Sequence, residues 1–293
     1  MPRQPGRPQP PGRGAKRPRP RPRPGEEPAV VRARLAAAGE ALRILAGPAP
    51  DAVELARGVH ARTDRAIEQV HAASGDGDRL ACREGCTYCC TFPVAASAPE
   101  ILAIAAFVRD RFDEGRQAAL AARVDAHIAA TDGMSMARRE RVRPDCPFLE
   151  GGRCAVYEVR PIACRGYSSF DVGRCRADYQ YPGAGIEIPA NPRREQIHGA
   201  IREGLAVACR SAAVDHRLLE LARAYKIAAA DPTLAPTWTA RPDAFDPATG
   251  ARVFPGPWSA DLDQKFEEVY REAVERLEAE GAGVGRASTR PPT

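Results

Sequence analysis

Eight of the nine cysteines in this chain fall between Cys82 and Cys175, and that crowding limits how the segment can fold. The first group reads Cys82-x3-Cys86-x2-Cys89-Cys90. The second reads Cys146-x7-Cys154-x9-Cys164, and Cys175 follows after ten intervening residues. A basic N-terminus with no apolar stretch behind it does not read as a secretory signal. The longest clean apolar run, Ile101 to Val108, is too short to span a bilayer. We therefore expect a cytoplasmic protein with reduced thiols and no membrane partner. In a reducing compartment so many cysteines point to metal or redox chemistry, not to a disulfide framework.

The spacing carries physical meaning. A Cys-x2-Cys step lets two sulfurs from one tight loop reach a single ion, and Gly85 before Cys86 permits the turn. Thiolates bind metal only when deprotonated, and the bound ion keeps them so. Adjacent side chains diverge in a regular backbone, so the pair Cys89-Cys90 suits a polynuclear site or one sulfur in each of two sites. The candidate metal ligands are Cys82, Cys86, Cys89, Cys90, Cys146, Cys154, Cys164 and Cys175. Cys209, on an Ala-rich helical stretch, reads as an inert buried thiol. His127 is the only histidine between Cys82 and Cys175, and it reads as structural or solvated. An all-sulfur set fits zinc held by four thiolates and equally an iron–sulfur cluster. Arg143, Arg153, Arg160, Arg165, Arg174 and Arg176 would offset thiolate charge around either.

The rest of the chain reads as helical. The hydrophobic fraction is 44% with aromatics at only 6%, so the core should be closely packed Ala-rich helices. Helices are expected over about 29–46, 51–73, 113–130, 193–226 and 260–280. Ser97-Ala98-Pro99-Glu100 is a capping box placed directly before the apolar run at 101–108. Residues 133–181 read as largely irregular, and 231–257 as an ordered, Pro-rich loop. No internal repeat and no β-meander is evident. The expected fold is mainly α, a helical domain at 29–285 wrapped around an irregular cysteine-rich metal-binding core at 82–176.

Residues 1–28 form a low-complexity Arg/Pro tail, expected to be disordered and extended. Residues 1–24 hold eight basic side chains and no acid, and the net charge of +5 leaves −3 for the remainder. The basic balance thus belongs to the tail, and only there could nucleic acid bind.

Cys82-x3-Cys86-x2-Cys89-Cys90, Cys146-Pro147-Phe148-Leu149, Arg153-Cys154, Tyr157-Glu158-Val159-Arg160-Pro161 and Cys164-Arg165 together resemble the YkgJ-type cysteine-cluster family. That family is described as a zinc- or iron-chelating domain. The resemblance covers about residues 82–170 and implies a bacterial cytosolic metal-binding protein with no assigned reaction. Cys175 lies outside the shared motif. Of the motif's other residues, Arg160, extended before Pro161, could brace the cluster loop, and Arg165 joins it as a candidate cofactor-side residue. Tyr157 and Phe148 would shield the site from water.

Three functions stay open. One is a metal-binding or iron–sulfur protein in electron transfer, metal handling or oxidoreductase chemistry. Another is a radical S-adenosylmethionine enzyme, whose three-cysteine spacing Cys82-x3-Cys86-x2-Cys89 matches, although such enzymes continue with strand–helix repeats. The third is a structural zinc module that displays helices to a protein partner. Hydrolase and nucleotide-binding signatures are absent.

Overall fold

The computed structural model describes residues 27–247, Ala251 and residues 258–279. Most of the Arg/Pro tail therefore lies outside the described residues. The fold is mainly α. The scaffold consists of α1 (Pro28–Leu45), α2 (Ala52–Ser74), α3 (Ala98–Arg111), α4 (Glu114–Thr131), α8 (Pro192–Ser211), α9 (Leu221–Ala230) and α11 (Trp258–Ala279). The short helices α5 (Met136–Val142), α6 (Ile162–Gly166) and α7 (Val172–Gln180) lie along the cysteine-bearing segment, and α10 (Leu234–Thr237) follows α9.

Local chemistry sets the helix ends. The Asp51 carboxylate accepts from the N–H groups of Val53 at 2.7 Å and Glu54 at 3.2 Å, and Gly75 closes α2 in the left-handed region. Asn191 caps α8 in the same way through Arg193 and Arg194. At α3 the Glu100 carboxylate accepts from the Ser97 N–H at 2.9 Å and the Ser97 hydroxyl at 2.7 Å, so the box foreseen from the sequence forms around one acid.

Small side chains bring the helices close. Ala37, Ala38, Ala41 and Ala208 are fully buried where α1 packs along α8. A Cβ placed on Gly204 would lie 2.2 Å from the Arg34 carbonyl oxygen and 2.9 Å from the Ala38 nitrogen, so α8 can approach α1 this closely only with glycine there. α2 packs on α3 and α8, and α3 and α4 pack on α9. One apolar core runs from Val30 to Leu277.

The structure departs from the sequence reading at three places. The helical stretch expected over 193–226 is divided in two, α8 and α9. Ala213, at φ +56°, ends α8, and a strand β4 (Leu219–Glu220) then pairs antiparallel with β1 (Ala95–Ala96) before α9 begins. The segment 133–181 is less irregular than its composition suggests, because it holds α5, α6 and α7. Helices this short show no apolar periodicity, but they do have caps: Ser135 accepts from the Arg138 N–H and Asp171 from the Arg174 N–H. Within 231–257, α10 and a 3-10 turn at Trp238–Ala240 are ordered, and the Trp238 indole donates to the Pro50 carbonyl at 3.2 Å.

Candidate metal centre

The first cysteine loop leaves α2 and is fastened by the Ala81 N–H, which donates to the Ser169 carbonyl at 2.9 Å. Gly85, at φ +81°, makes the turn before Cys86. A 3-10 turn, Tyr88–Thr91, then carries Cys89 and Cys90, with the Cys90 N–H donating to the Thr87 carbonyl. The Cys89 and Cys90 thiols are in contact.

The second cysteine group lies against the first. The Cys146 N–H donates to the Cys90 carbonyl at 2.7 Å. From there a tight hairpin sets Cys154 opposite Leu149, with β2 (Leu149–Glu150) pairing β3 (Arg153–Cys154). Gly151 and Gly152, at φ +56° and +75°, form its two-residue turn, a geometry in which both central residues need positive φ. Cys154 thereby sits on the hairpin, and Cys146 lies three residues before it, its carbonyl accepting the Leu149 N–H at 3.0 Å.

Cys164 rides on α6. Glu100, 1% exposed, reaches from α3 to accept the Ile162 N–H at 2.6 Å and fixes where α6 starts. His60 Nε2 lies 3.4 Å from the same carboxylate. Burial works to raise the Glu100 pKa, but His60, the Ile162 N–H and Ser97 outweigh it and hold the carboxyl at about 2. Cys175 rides on α7, which packs on the 3-10 turn. The Tyr88 and Tyr179 rings meet at 5.7 Å, and Arg176 donates to the Tyr88 hydroxyl at 3.2 Å.

All nine cysteines are free thiols. Burial pushes the thiols of Cys146, Cys154, Cys164 and Cys175 up, Cys146 to about 12, and neighbouring thiols add to each shift. Cys82 is raised by the same causes. Cys89 is raised first by its contact with Cys90 and then by burial. Opposing donors are already aimed at sulfur: the Phe148 N–H at Cys146, the Val156 N–H at Cys154, the Ser169 N–H at Cys82 and the Ser169 hydroxyl at Cys175. Crowded thiols that resist ionisation on their own, yet carry N–H donors suited to thiolate, fit a cationic guest, whose charge inverts that balance. The fit rests on this donor chemistry. Among the described residues no three Cys, His, Asp or Glu side chains stand at ion-binding spacing, so the sulfurs would have to draw together on a metal.

The two arginines named from sequence have separate places. Arg165 is 4% exposed and turned inward. Its guanidinium donates to the carbonyls of Arg160 and Glu158 and pairs with Asp64, which folds the chain between Cys154 and Cys164. Arg160 stacks over the Tyr157 ring at 3.8 Å and lies near Cys154. Phe148 is buried against Tyr225, whereas Tyr157 is 61% exposed and shields little. Tyr167, three residues after Cys164, packs its ring on Phe92 at 5.2 Å and feels the charge of Cys89 and Cys175. His127 is occupied by the Asp145 carbonyl and Arg139, and Cys209 is buried in α8. Sequence reasoning also missed Ser169 and Arg194. Arg194 donates to the Arg165 and Gly166 carbonyls, closing the end of α6 from a distant helix. Tyr167 and Ser169 do follow Cys164 within a few residues, and that proximity was the available signal.

Residues 81–181, about a third of the chain, match the model of a family described as "CxxCxxCC: Putative zinc- or iron-chelating domain". Searches of curated proteins and of solved structures found no match. No helix among the described residues is long and apolar enough to cross a membrane.

Proposed function

We propose that this chain binds metal through the cysteines of residues 82–175 and that its resident centre is iron–sulfur. The observation that carries the reading is the vicinal pair Cys89-Cys90 on one 3-10 turn, tied to the second cysteine group through the Cys90 carbonyl and the Cys146 N–H, with His127 between the groups already engaged by Asp145 and Arg139. Adjacent sulfurs serve different irons readily, whereas a mononuclear zinc site has no use for the surplus. When bound, such a centre supplies one-electron redox chemistry. The protein's own part is to hold the thiols by N–H donors and to fold the loops through Arg165 and Arg194. A reducing compartment such as the cytoplasm suits these thiols. The radical S-adenosylmethionine alternative loses support, because the described residues hold only four strands of two residues each, not the strand–helix repeats of a barrel.

Anaerobic purification with elemental analysis and an absorption spectrum tests the reading. Brown protein with iron and acid-labile sulfide, and a broad band near ~400 nm that bleaches on reduction, is expected. Colourless protein with stoichiometric zinc after oxygen-free expression overturns the iron assignment and puts structural zinc first.

A further inference from the structure

We propose that His71 is a positioning residue for the candidate metal centre: held by Asp76, it orients Arg194, and Arg194 fixes the end of α6 beside Cys164. The proposal rests on the metal reading above. It extends that reading to His71, Asp76, Asn191 and Arg194, all of which lie outside the matched residues 81–181.

His71 sits in the last turn of α2, and Asp76 follows on the short link to the Cys82 loop. His71 Nδ1 stands 2.5 Å from one Asp76 carboxylate oxygen. The other oxygen accepts from the Asn191 amide at 2.7 Å. Asn191 is itself fixed, because its side-chain oxygen caps α8. Across the ring, His71 Nε2 stands 3.0 Å from an Arg194 guanidinium nitrogen. A guanidinium only donates, so Nε2 must accept and carries no proton. The ring proton then sits on Nδ1, where Asp76 accepts it. His71, Asp76 and Asn191 are all buried, so leaving any of them unpaired is costly.

The remaining Arg194 donors reach α6. Its Nε donates to the Gly166 carbonyl at 3.0 Å and its Nη2 to the Arg165 carbonyl at 2.6 Å. These are the two residues that follow Cys164. α6 has only five residues, too few to hold its own end. It also lies hard against α8, since a Cβ on Gly166 would fall 2.3 Å from the His198 ring. Bound at α6 alone, the guanidinium could swing on its flexible stem. His71 supplies a further fixed acceptor, and the planar fork is left with one orientation. Partners that touch no metal but orient its ligands typically change affinity by about 10- to 100-fold when removed.

The test uses the full chain, stripped of metal under anaerobic conditions. Long-range proton–nitrogen correlation spectra should show His71 protonated at Nδ1 and bare at Nε2. The Arg165 amide donates to the Pro161 carbonyl at 3.0 Å, and its deuterium exchange should quicken about 10-fold in His71→Phe and in Arg194→Ala. Zn2+ alone, titrated against a chromophoric chelator, should bind each variant about 10-fold more weakly than wild type. The double variant should fall no further than Arg194→Ala, because His71 acts through Arg194. His71→Gln can donate to Asp76 and accept from Arg194, and it should keep wild-type exchange and affinity. Far-UV circular dichroism checks folding. Should His71→Phe not fold, the tautomer, Arg194→Ala and His71→Gln decide. His71 protonated at Nε2, additive losses in the double variant, or weakened binding in a folded His71→Gln overturns the relay and leaves the metal reading standing. Wild type that binds no Zn2+ and is isolated without iron or zinc overturns the metal reading, and with it the role of His71 at the centre.

Discussion

The α1–α8 scaffold and the cysteine segment are held together by different forces. Along α1, α2, α3 and α8, alanine, leucine and isoleucine side chains are removed from water almost completely, and helix backbones touch at Gly204. From Arg143 to Tyr181 the only buried hydrophobic side chains are Phe148, Val156 and Ile162. That segment is fastened instead by single hydrogen bonds: Ser169 to Ala81, Cys90 to Cys146, Glu100 to Ile162, and Arg165 and Arg194 to loop carbonyls. Each such bond contributes only about 1 kcal/mol net. A region with so little apolar burial is one in which a metal cross-link adds a large share of the local stability. The scaffold is held by packing, and the loops by single hydrogen bonds.

The largest effect should come from attacking the scaffold. Gly204→Val would drive side-chain carbon into the α1 backbone and should cost about 3 kcal/mol in urea unfolding, with or without metal. A variant as stable as wild type would mean that α1 and α8 do not approach this closely. Removing metal should act on the other region alone. With a chelator present, amide exchange across 81–96 and 143–181 should quicken by about 100-fold, while α1 and α8 stay protected. Unchanged protection in the cysteine segment would break the contrast between the two regions.

Glu100 joins the regions, and its effect should be smaller and dependent on pH. Its folded pKa, about 2, lies below the ordinary glutamate value, so the stability it confers is complete above that ordinary value and is lost as pH falls toward 2. In metal-free protein, Glu100→Gln should cost about 2 kcal/mol at neutral pH, and the penalty should shrink steadily below about pH 4. A penalty independent of pH would remove the carboxylate from that role. The smallest effect should follow deletion of residues 1–26, which contain no cysteine or histidine. Metal content per chain should stay at the wild-type value, and a drop would tie the tail to the loops.

Much of the scaffold was legible in the sequence because its signals are local. Asp51, Ser97 with Glu100, and Asp113 sit where helices begin: Asp51 and Asp113 accept N–H groups of the first turn, and Glu100 accepts from the Ser97 N–H and hydroxyl. The break between α8 and α9 was not legible. No proline or glycine marks it, and it depends on Leu219 and Glu220 finding Ala95 and Ala96 across the fold. At the site, spacing marked the eight cysteines, and Gly85 marked its turn. Tyr157 was expected to shield and does not, because its neighbours are Arg160 and solvent.

The sequence by itself determined the donor chemistry: thiols, almost no histidine, and two groups with a vicinal pair in the first. Side-chain identity and short-range spacing are properties of the chain that folding does not change. Only the tertiary structure decided which cysteines are neighbours. Cys175 was the least expected of the eight, yet it shares Ser169 with Cys82, while Cys146 reaches the first group through the Cys90 carbonyl. Such pairings depend on α7 and the hairpin docking on one 3-10 turn, and long-range docking of short elements leaves no periodic trace in the sequence.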